Sequence, residues 1–469
     1  MRGIGRKFRR TIYHLSKLKP GRSRPVLSVY GTAQASSADY IVLAHPAIPI
    51  TQKLLGQFSA FLAQNPAAEV VYCDETNFYK PDWSPELLRS MNYPGPLVVI
   101  RPAALAKVGG APPAFDEAGF YALWLRIAES NCVVAHLPAA LFSRPPLSME
   151  QALPCRNALE EHANRLYGAG NYDIRASAIA TNRPATFDFF IRPDKSALVS
   201  LIIPTKDGLS MLVPCIDSIL NRSTHRRLEI IILNNNSTKP ETFAYFDQLR
   251  SGDIPNCRVI DAPIPFNWSR LNNIGAAAAA GDVLVFMNND MEVIAADWLD
   301  WLAGYALQPE IGVVGAQLIR EDETLQHAGV VLGLGGWCDH IFDRQPPSLL
   351  STAFVPPGLI RNVSAVTGAC MAVAAKKFGQ YGGFDENYLV CGSDIEYCLR
   401  LLHAGLRNVY LPPARLYHLE SRTRNPNDSD PDRLRFRHLL KPYRWQGDAF
   451  YNENLSLYDN CGKMRSRWE

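Results

Sequence analysis

No run of apolar residues in this 469-residue chain reaches the roughly 18 to 20 needed to cross a bilayer. The N-terminus also lacks the apolar core of a secretory signal peptide, so the protein is expected in the cytoplasm. Its ten cysteines include no CxxC pair and no Cys/His spacing suited to zinc. Several lie in apolar runs such as "TGACMAV", and they read as reduced core residues rather than a disulfide or metal framework. Acid is missing from the first 24 residues, which hold nine Lys or Arg; the remainder is net acidic. That remainder has no basic stripe and no nucleic-acid motif, which leaves an anionic membrane surface as the partner for the basic head. Ile4, Phe8, Ile12 and Leu15 fall at helical spacing among those cations, as in a helix lying peripherally on the inner face of the cell membrane. A disordered basic tail is the competing reading.

What is present is the composition of a folded chain, 47 % hydrophobic and 20 % charged, long enough for two or three domains. "ALVSLIIPTKDG" (197–208) is a β-branched run closed by a turn. A helical segment "LSMLVPCIDSILN" follows, then a strand "LEIIILNNNST" (228–238), then a helix-like "SRLNNIGAAAAAG" and the apolar run "DVLVF" that stops abruptly at Asn288-Asn289-Asp290. Strand, helix and strand with turn residues at each strand's carboxyl end predict a parallel α/β sheet, with ligands bound beyond those ends.

The chain also resembles itself. "DYIVLAHPAIPI" (39–50) matches "DVLVFMNNDMEV" (282–293) in apolar pattern, and "ALWLRIAESNCVVAHLPAALF" parallels "EYCLRLLHAGLRNVYLPPARLY". An ancient duplication is the simplest account. The apolar skeleton is shared, but the polar strand ends are not: His45, Pro46 and Ala47 stand opposite Asn288, Asn289 and Asp290. Residues near Phe120 and Ala122 stand opposite Asp394 and Glu396, and Ser143 or Arg144 opposite His418. The first copy is also expected to have lost its opening strand and helix. Chemistry is therefore expected in the second half, and packing or docking in the first.

Three second-half signals carry that chemistry: "NND" at a strand end, "GSDIEYCLRL" (392–401) opening a helix, and "LYHLESRTR" (416–424) after a strand. Singly, each has a plain structural explanation as a turn, an N-cap or a strand-end histidine. Together, Asp290 and His418 form an oxygen and nitrogen set suited to Mn²⁺ or Mg²⁺ when a substrate diphosphate completes the shell. Asp394, off the metal, is placed to take a proton from an attacking hydroxyl. Glu396 lies about 200° further round the helix and does not point the same way.

With these motifs in order, residues 197 to 425 resemble the family 2 glycosyltransferases, which have the GT-A fold and invert the anomeric centre. The resemblance implies a Rossmann-like mixed sheet with helices on both faces. It implies Asp290 as the last acid of a metal-binding DxD motif, Asp394 as catalytic base, and His418 as the later metal ligand. Pro204, Thr205, Asp207, Asn234, Asn273, Asn288, Asn289, Thr367 and Gly368 fall in nucleotide-sugar contacts. Arg422, with Ser421 and Arg424, is placed to clamp donor phosphates. Asn234, Asn288 and Ser393 stand where the family usually has acids. Gln326, His327 and His340 lie in a polar insertion, "LQHAGVVLGLGGWCDH", and His327, His340 and Glu396 are assigned to the acceptor side.

The implied organisation is a basic segment (1–38), a truncated, degenerate GT-A-like domain (39–146), a helix and strand linker (147–196), a catalytic GT-A domain (197–425), and a C-terminal helix and tail (426–469). The expected partners are a nucleotide-diphosphate sugar and a glycan or lipid-linked acceptor. A fold that has lost activity and serves as a scaffold is the rival reading. A nucleotidyltransferase would want a Gly-rich phosphate loop after the first strand, where "PTKDGLS" offers only Lys206 and Gly208.

Overall fold

A computed structural model describes residues 24–31, 38–252, 254–419 and 430–466. The basic head up to Ser23, and Ser421, Arg422 and Arg424, lie outside the described residues, as do the roles expected of them.

The first sheet comprises β1 (Leu27–Val29), β2 (Tyr40–Ala44), β3 (Val70–Glu75), β4 (Leu97–Ile100) and β5 (Val134–Phe142) in the order β1-β2-β4-β3-β5. A hairpin of β6 (Tyr172–Ala176) and β7 (Phe187–Ile191) follows the helix Ala152–Tyr167. The second sheet contains β8 (Val199–Thr205), β9 (Leu228–Asn234), β10 (Cys257–Asp261), β11 (Val283–Met287), β12 (Met291–Val293), β13 (Ile311–Ile319) and β14 (Leu325–His327). β15 (Val330–Leu332) and β16 (Cys338–His340) form a separate ribbon, and β17 (Arg361–Val363), β18 (Cys370–Ala374) and β19 (Arg407–His418) complete the second sheet. Its order is β10-β9-β8-β11-β18-β13-β19-β12, a mixed α/β arrangement of the kind expected.

The two sheets repeat one plan. β1 and β2 are parallel, β2–β4 and β4–β3 antiparallel, and β3–β5 parallel. β8 and β11 are parallel, β11–β18 and β18–β13 antiparallel, and β13–β19 parallel. The opening strand expected to be lost from the first copy is therefore present, as the three residues of β1, and the first sheet starts at Leu27 rather than at 39. The second sheet adds β9, β10 and three helices between β8 and β11, and β12, β14 and β17 further along the chain.

β8 and β11 run as apolar strands because both faces are covered: in β11 all five residues are buried, and in β8 all but Pro204. Pro204 lies beyond the last residue paired to β11, where a missing N–H leaves no gap in that ladder. The turn after β8 needs left-handed backbone at Asp207 (φ 53°) and Gly208 (φ 71°). The alanine run ends its helix at Ala278, short of Ala280. Ala279 is extended, and the Ala280 amide donates to Glu229 Oε1 at 2.7 Å, ending the helix despite the propensity of the sequence. One apolar core runs from Ile41 through Val70 to Leu416 and joins the two sheets, with Arg407 of β19 paired to the buried Glu86 at 2.9 Å.

Candidate active site

Met287 ends the buried run of β11, and residues 288–290 turn the chain into β12. The polar stop has a local purpose: each residue of the turn reaches a different neighbouring strand end. The Asn289 amide donates to Thr205 Oγ1 at the end of β8 (2.9 Å), and the Asn288 N–H donates to the Ala369 carbonyl just before β18 (3.0 Å). Asp290 faces His418 at the end of β19, with Oδ1 3.2 Å from Nε2. The register pairs Met291 with His418, so 127 residues of intervening chain still leave these side chains adjacent. Asp290 is 4 % and His418 8 % exposed.

His418 Nδ1 lies 2.5 Å from Gln326 Oε1. With Nδ1 on Gln326, the other ring nitrogen, Nε2, faces the Asp290 carboxylate and lies 3.3 Å from the Asn288 amide. An imidazole nitrogen and a carboxylate oxygen 3.2 Å apart form a donor set that fits Mn²⁺ or Mg²⁺. Among the described residues no group of three His, Cys, Asp or Glu could hold a metal ion, so Asp290 and His418 are a pair and not a complete ligand set.

Asp394 is the second residue of the helix Ser393–His403, whose N-cap is Gly392 (φ 94°), not the aspartate. Its side chain is half-buried. Oδ2 accepts the Gly368 N–H at 2.8 Å and Oδ1 the Ile395 N–H at 2.9 Å. Thr367–Ala369 therefore touches both the Asn288–Asp290 turn and Asp394. Thr367 Oγ1 accepts the Ala369 N–H (3.2 Å), closing this short segment on itself. Gly368 leaves no room for a side chain, since a Cβ would stand 2.7 Å from the Trp268 ring and 3.3 Å from Asp394 Cβ.

Other expected residues have structural duties. The Asp207 carboxylate accepts the N–H groups of Thr238 and Lys239, both at 3.0 Å. Desolvation raises its pKa, but these amides outweigh it and hold the group below the usual carboxylate range. Asn234 uses both ends of its amide, donating to Asp261 Oδ1 (2.8 Å) and accepting from Ser237 N–H (3.1 Å). A carboxylate thus stands beside the position where one was missing, supplied by the next strand. Asn273 binds Phe384 through both its carbonyl and its N–H and also donates to Glu386 Oε1, which fastens the 384–386 loop.

The acceptor assignments fare differently. His327 is fully buried, so it cannot touch an acceptor; burial, followed by the charges of His340, Arg361 and His418, holds it well below the ordinary imidazole range. His340 is partly exposed and meets the Gln326 carbonyl at 2.8 Å and His327 Nδ1 at 3.1 Å. Glu396 is bonded to Arg400 one turn along its own helix, as its angular offset from Asp394 predicts. Gln326 supports His418 instead of facing the acceptor. Alternation along β14 carries this signal: adjacent Gln326 and His327 point to opposite faces.

The matching strand ends of the first sheet are filled. Arg144 pairs with Glu75 (2.8 Å) and Glu117 (3.2 Å) and donates to the Asn92 carbonyl (2.7 Å). Buried Lys80 binds Glu75 Oε1 (2.8 Å) and the Cys73 and Pro94 carbonyls. Burial works against the charge on Glu75, but Arg144 and Lys80 outweigh it and keep its pKa low.

Residues 200–338 match the family model for Glycosyl transferase family 2. The chain is similar to the O-antigen biosynthesis protein RfbC of Myxococcus xanthus, 37 % identical over 87 % of this chain and 33 % of that protein. It is also similar to the uncharacterized protein y4gI of Sinorhizobium fredii, 34 % identical over 86 % and 47 % respectively. It thus spans between a third and a half of these relatives. A solved structure, GalNAc-T7 with UDP, GalNAc and Mn²⁺, is similar over 55 % of this chain and 51 % of its own at 18 % identity and TM-score 0.43, too distant to assign any residue here. Residues 200–338, from β8 to the start of β16, thus carry the sequence pattern of glycosyl transferase family 2.

Proposed function

We propose that this chain moves a sugar from a nucleotide-diphosphate sugar to a hydroxyl of a growing, lipid-carried surface glycan, with inversion at the anomeric carbon. One observation carries the reading: Thr367–Ala369 binds Asp394 through the Gly368 N–H and the Asn288–Asp290 turn through the Ala369 carbonyl. A base candidate and a cation-binding pair thereby share one short support. The similarity to an O-antigen biosynthesis protein supports a surface glycan as the product.

In this reading Asp394 takes the proton of the acceptor hydroxyl as its oxygen bonds to the anomeric carbon. The bond from that carbon to the diphosphate oxygen breaks, and its electron pair leaves with the diphosphate. Asp290 and His418 would hold Mn²⁺ or Mg²⁺, which when bound supplies positive charge beside the departing diphosphate. Gln326 fixes the imidazole, while Thr205 and Asn289 shape the floor between β8 and β11. Residues 197–425 form the catalytic domain in this scheme; the copy built on β1 to β5 is non-catalytic and packs or docks.

Asp394→Asn separates this scheme from a scaffold. The amide keeps the shape but is not a base, so sugar transfer should fall about 10²- to 10⁴-fold with nucleotide binding retained. Transfer at the parent rate would refute the scheme.

A further inference from the structure

From Arg433 to Gln446 the chain has five Lys or Arg and no acid. These residues lie on the helix Asp430–Leu440 and the turn Tyr443–Gln446. Arg433, Arg435, Arg437, Lys441 and Arg444 are all exposed. The helix's inward stripe is Asp432, Phe436 and Leu440, spaced four apart, buried or half-buried. Leu434 lies two residues from that stripe, about 200° round the helix, and is 58 % exposed; Trp445, just beyond, is 77 % exposed.

A solvated basic helix accounts for the arginines but not for a leucine and an indole projecting among them. Arg437 and Arg444 stand over the Trp337 ring at 5.5 and 5.8 Å, and Arg435 donates to the Asn387 carbonyl. Fixed cations around exposed Leu and Trp are the composition of a surface that lies at the headgroup level of an anionic bilayer, with phosphates meeting the cations and the apolar groups entering the interface.

We infer that the Asp430–Gln446 face is a docking surface for an anionic lipid bilayer. The same helix is fastened to the loop before Asp394: the Asp432 carboxylate accepts the N–H groups of Leu389 (2.9 Å), Val390 (2.8 Å) and Cys391 (3.3 Å). Docking here would bring the membrane plane beside the base, where a lipid-borne hydroxyl must arrive. That consequence rests on the proposed acceptor, whereas the surface itself does not.

The test is flotation of the full chain with phosphatidylcholine vesicles, with and without phosphatidylglycerol. Lys441→Glu with Arg444→Glu, Trp445→Ala, and Lys7→Glu with Arg9→Glu and Arg10→Glu are compared. The parent should float only with the anionic vesicles. The Lys441/Arg444 pair should lose about tenfold or more of that binding, and Trp445→Ala several-fold. Unchanged melting temperatures would exclude misfolding, and unchanged transfer to a water-soluble acceptor would separate docking from catalysis. The inference fails if the parent does not float. It fails equally if the C-terminal variants float like the parent, which would leave binding to the N-terminal segment. Indifference to Trp445→Ala together with competition by heparin would also overturn it, since that pattern marks a soluble polyanion as the ligand.

Discussion

Gln326 Oε1 stands 2.5 Å from His418 Nδ1, and this contact decides which imidazole nitrogen faces Asp290. Removing the acceptor frees the ring to adopt the other tautomer, with a proton on the nitrogen needed as a ligand. Gln326→Leu should therefore weaken Mn²⁺ binding about 10- to 100-fold, read by calorimetric titration in the presence of a nucleoside diphosphate. Gln326→Glu keeps an acceptor and should bind within a few-fold of the parent. Parent-like binding by the leucine variant would leave Gln326 without a role at the metal pair.

Asp432 offers a second test, at the other side of the site. Its carboxylate holds three successive backbone N–H groups just ahead of Asp394 and is fully buried. Asp432→Asn turns one acceptor into a donor facing those amides. It should destabilise the protein by about 2–3 kcal/mol, measured by urea unfolding. It should also lower kcat more than it raises the donor KM, because it loosens the base rather than the donor floor. A variant that loses stability with kcat intact would make Asp432 purely structural.

The frame of this site was legible because a parallel strand buried on both faces must read as a continuous apolar run, and "VSLIIPT", "LEIIILN" and "DVLVF" did so. The internal repeat was legible for the same reason. What polar strand-end residues do was less legible. Asp207, Asn234 and Asn273 are the residue types that contact nucleotides, and they are equally the types that satisfy turn backbone; here each holds a turn or loop. Asp261 and Asp432 escaped notice because their partners lie on neighbouring strands or loops that no sequence spacing links to them. β1 was missed because three residues are too short to show a period.

Gly368 tests how tightly the base is packed. A methyl group there would meet the Trp268 ring at 2.7 Å and crowd Asp394 Cβ at 3.3 Å, so one of the two must move. Gly368→Ala should cost about 1–3 kcal/mol of stability as an overpacked site. It should also reduce transfer about 100-fold, since a displacement near 1 Å is felt at that level. Pairing it with Trp268→Phe removes the nearest ring atoms and should restore part of both. Failure of the pair to recover either quantity would place the crowding elsewhere.

His136 makes the first domain sensitive to alkaline pH. It is buried against Tyr72, with Nε2 2.9 Å from Asp74 Oδ1 and Nδ1 3.3 Å from Asp82 Oδ1. Burial alone would lower its pKa, but Asp74 and Asp82 outweigh burial and raise it to about 9, against about 6.5 in an unfolded chain. The folded protein therefore holds this proton more tightly. The contribution is complete below about pH 6.5 and is lost as pH rises through about 9, a loss on the order of 3 kcal/mol. Lys377, lowered to about 8 chiefly by burial, slopes the opposite way above that pH, so the parent curve alone mixes the two. The difference between parent and His136→Gln in urea unfolding isolates the histidine: it should shrink steadily between about pH 6.5 and 9. A difference constant across that window would mean that His136 is neutral in the fold and that Asp74 is held by Asn452, which donates to both of its oxygens at 3.0–3.1 Å, rather than by an imidazolium.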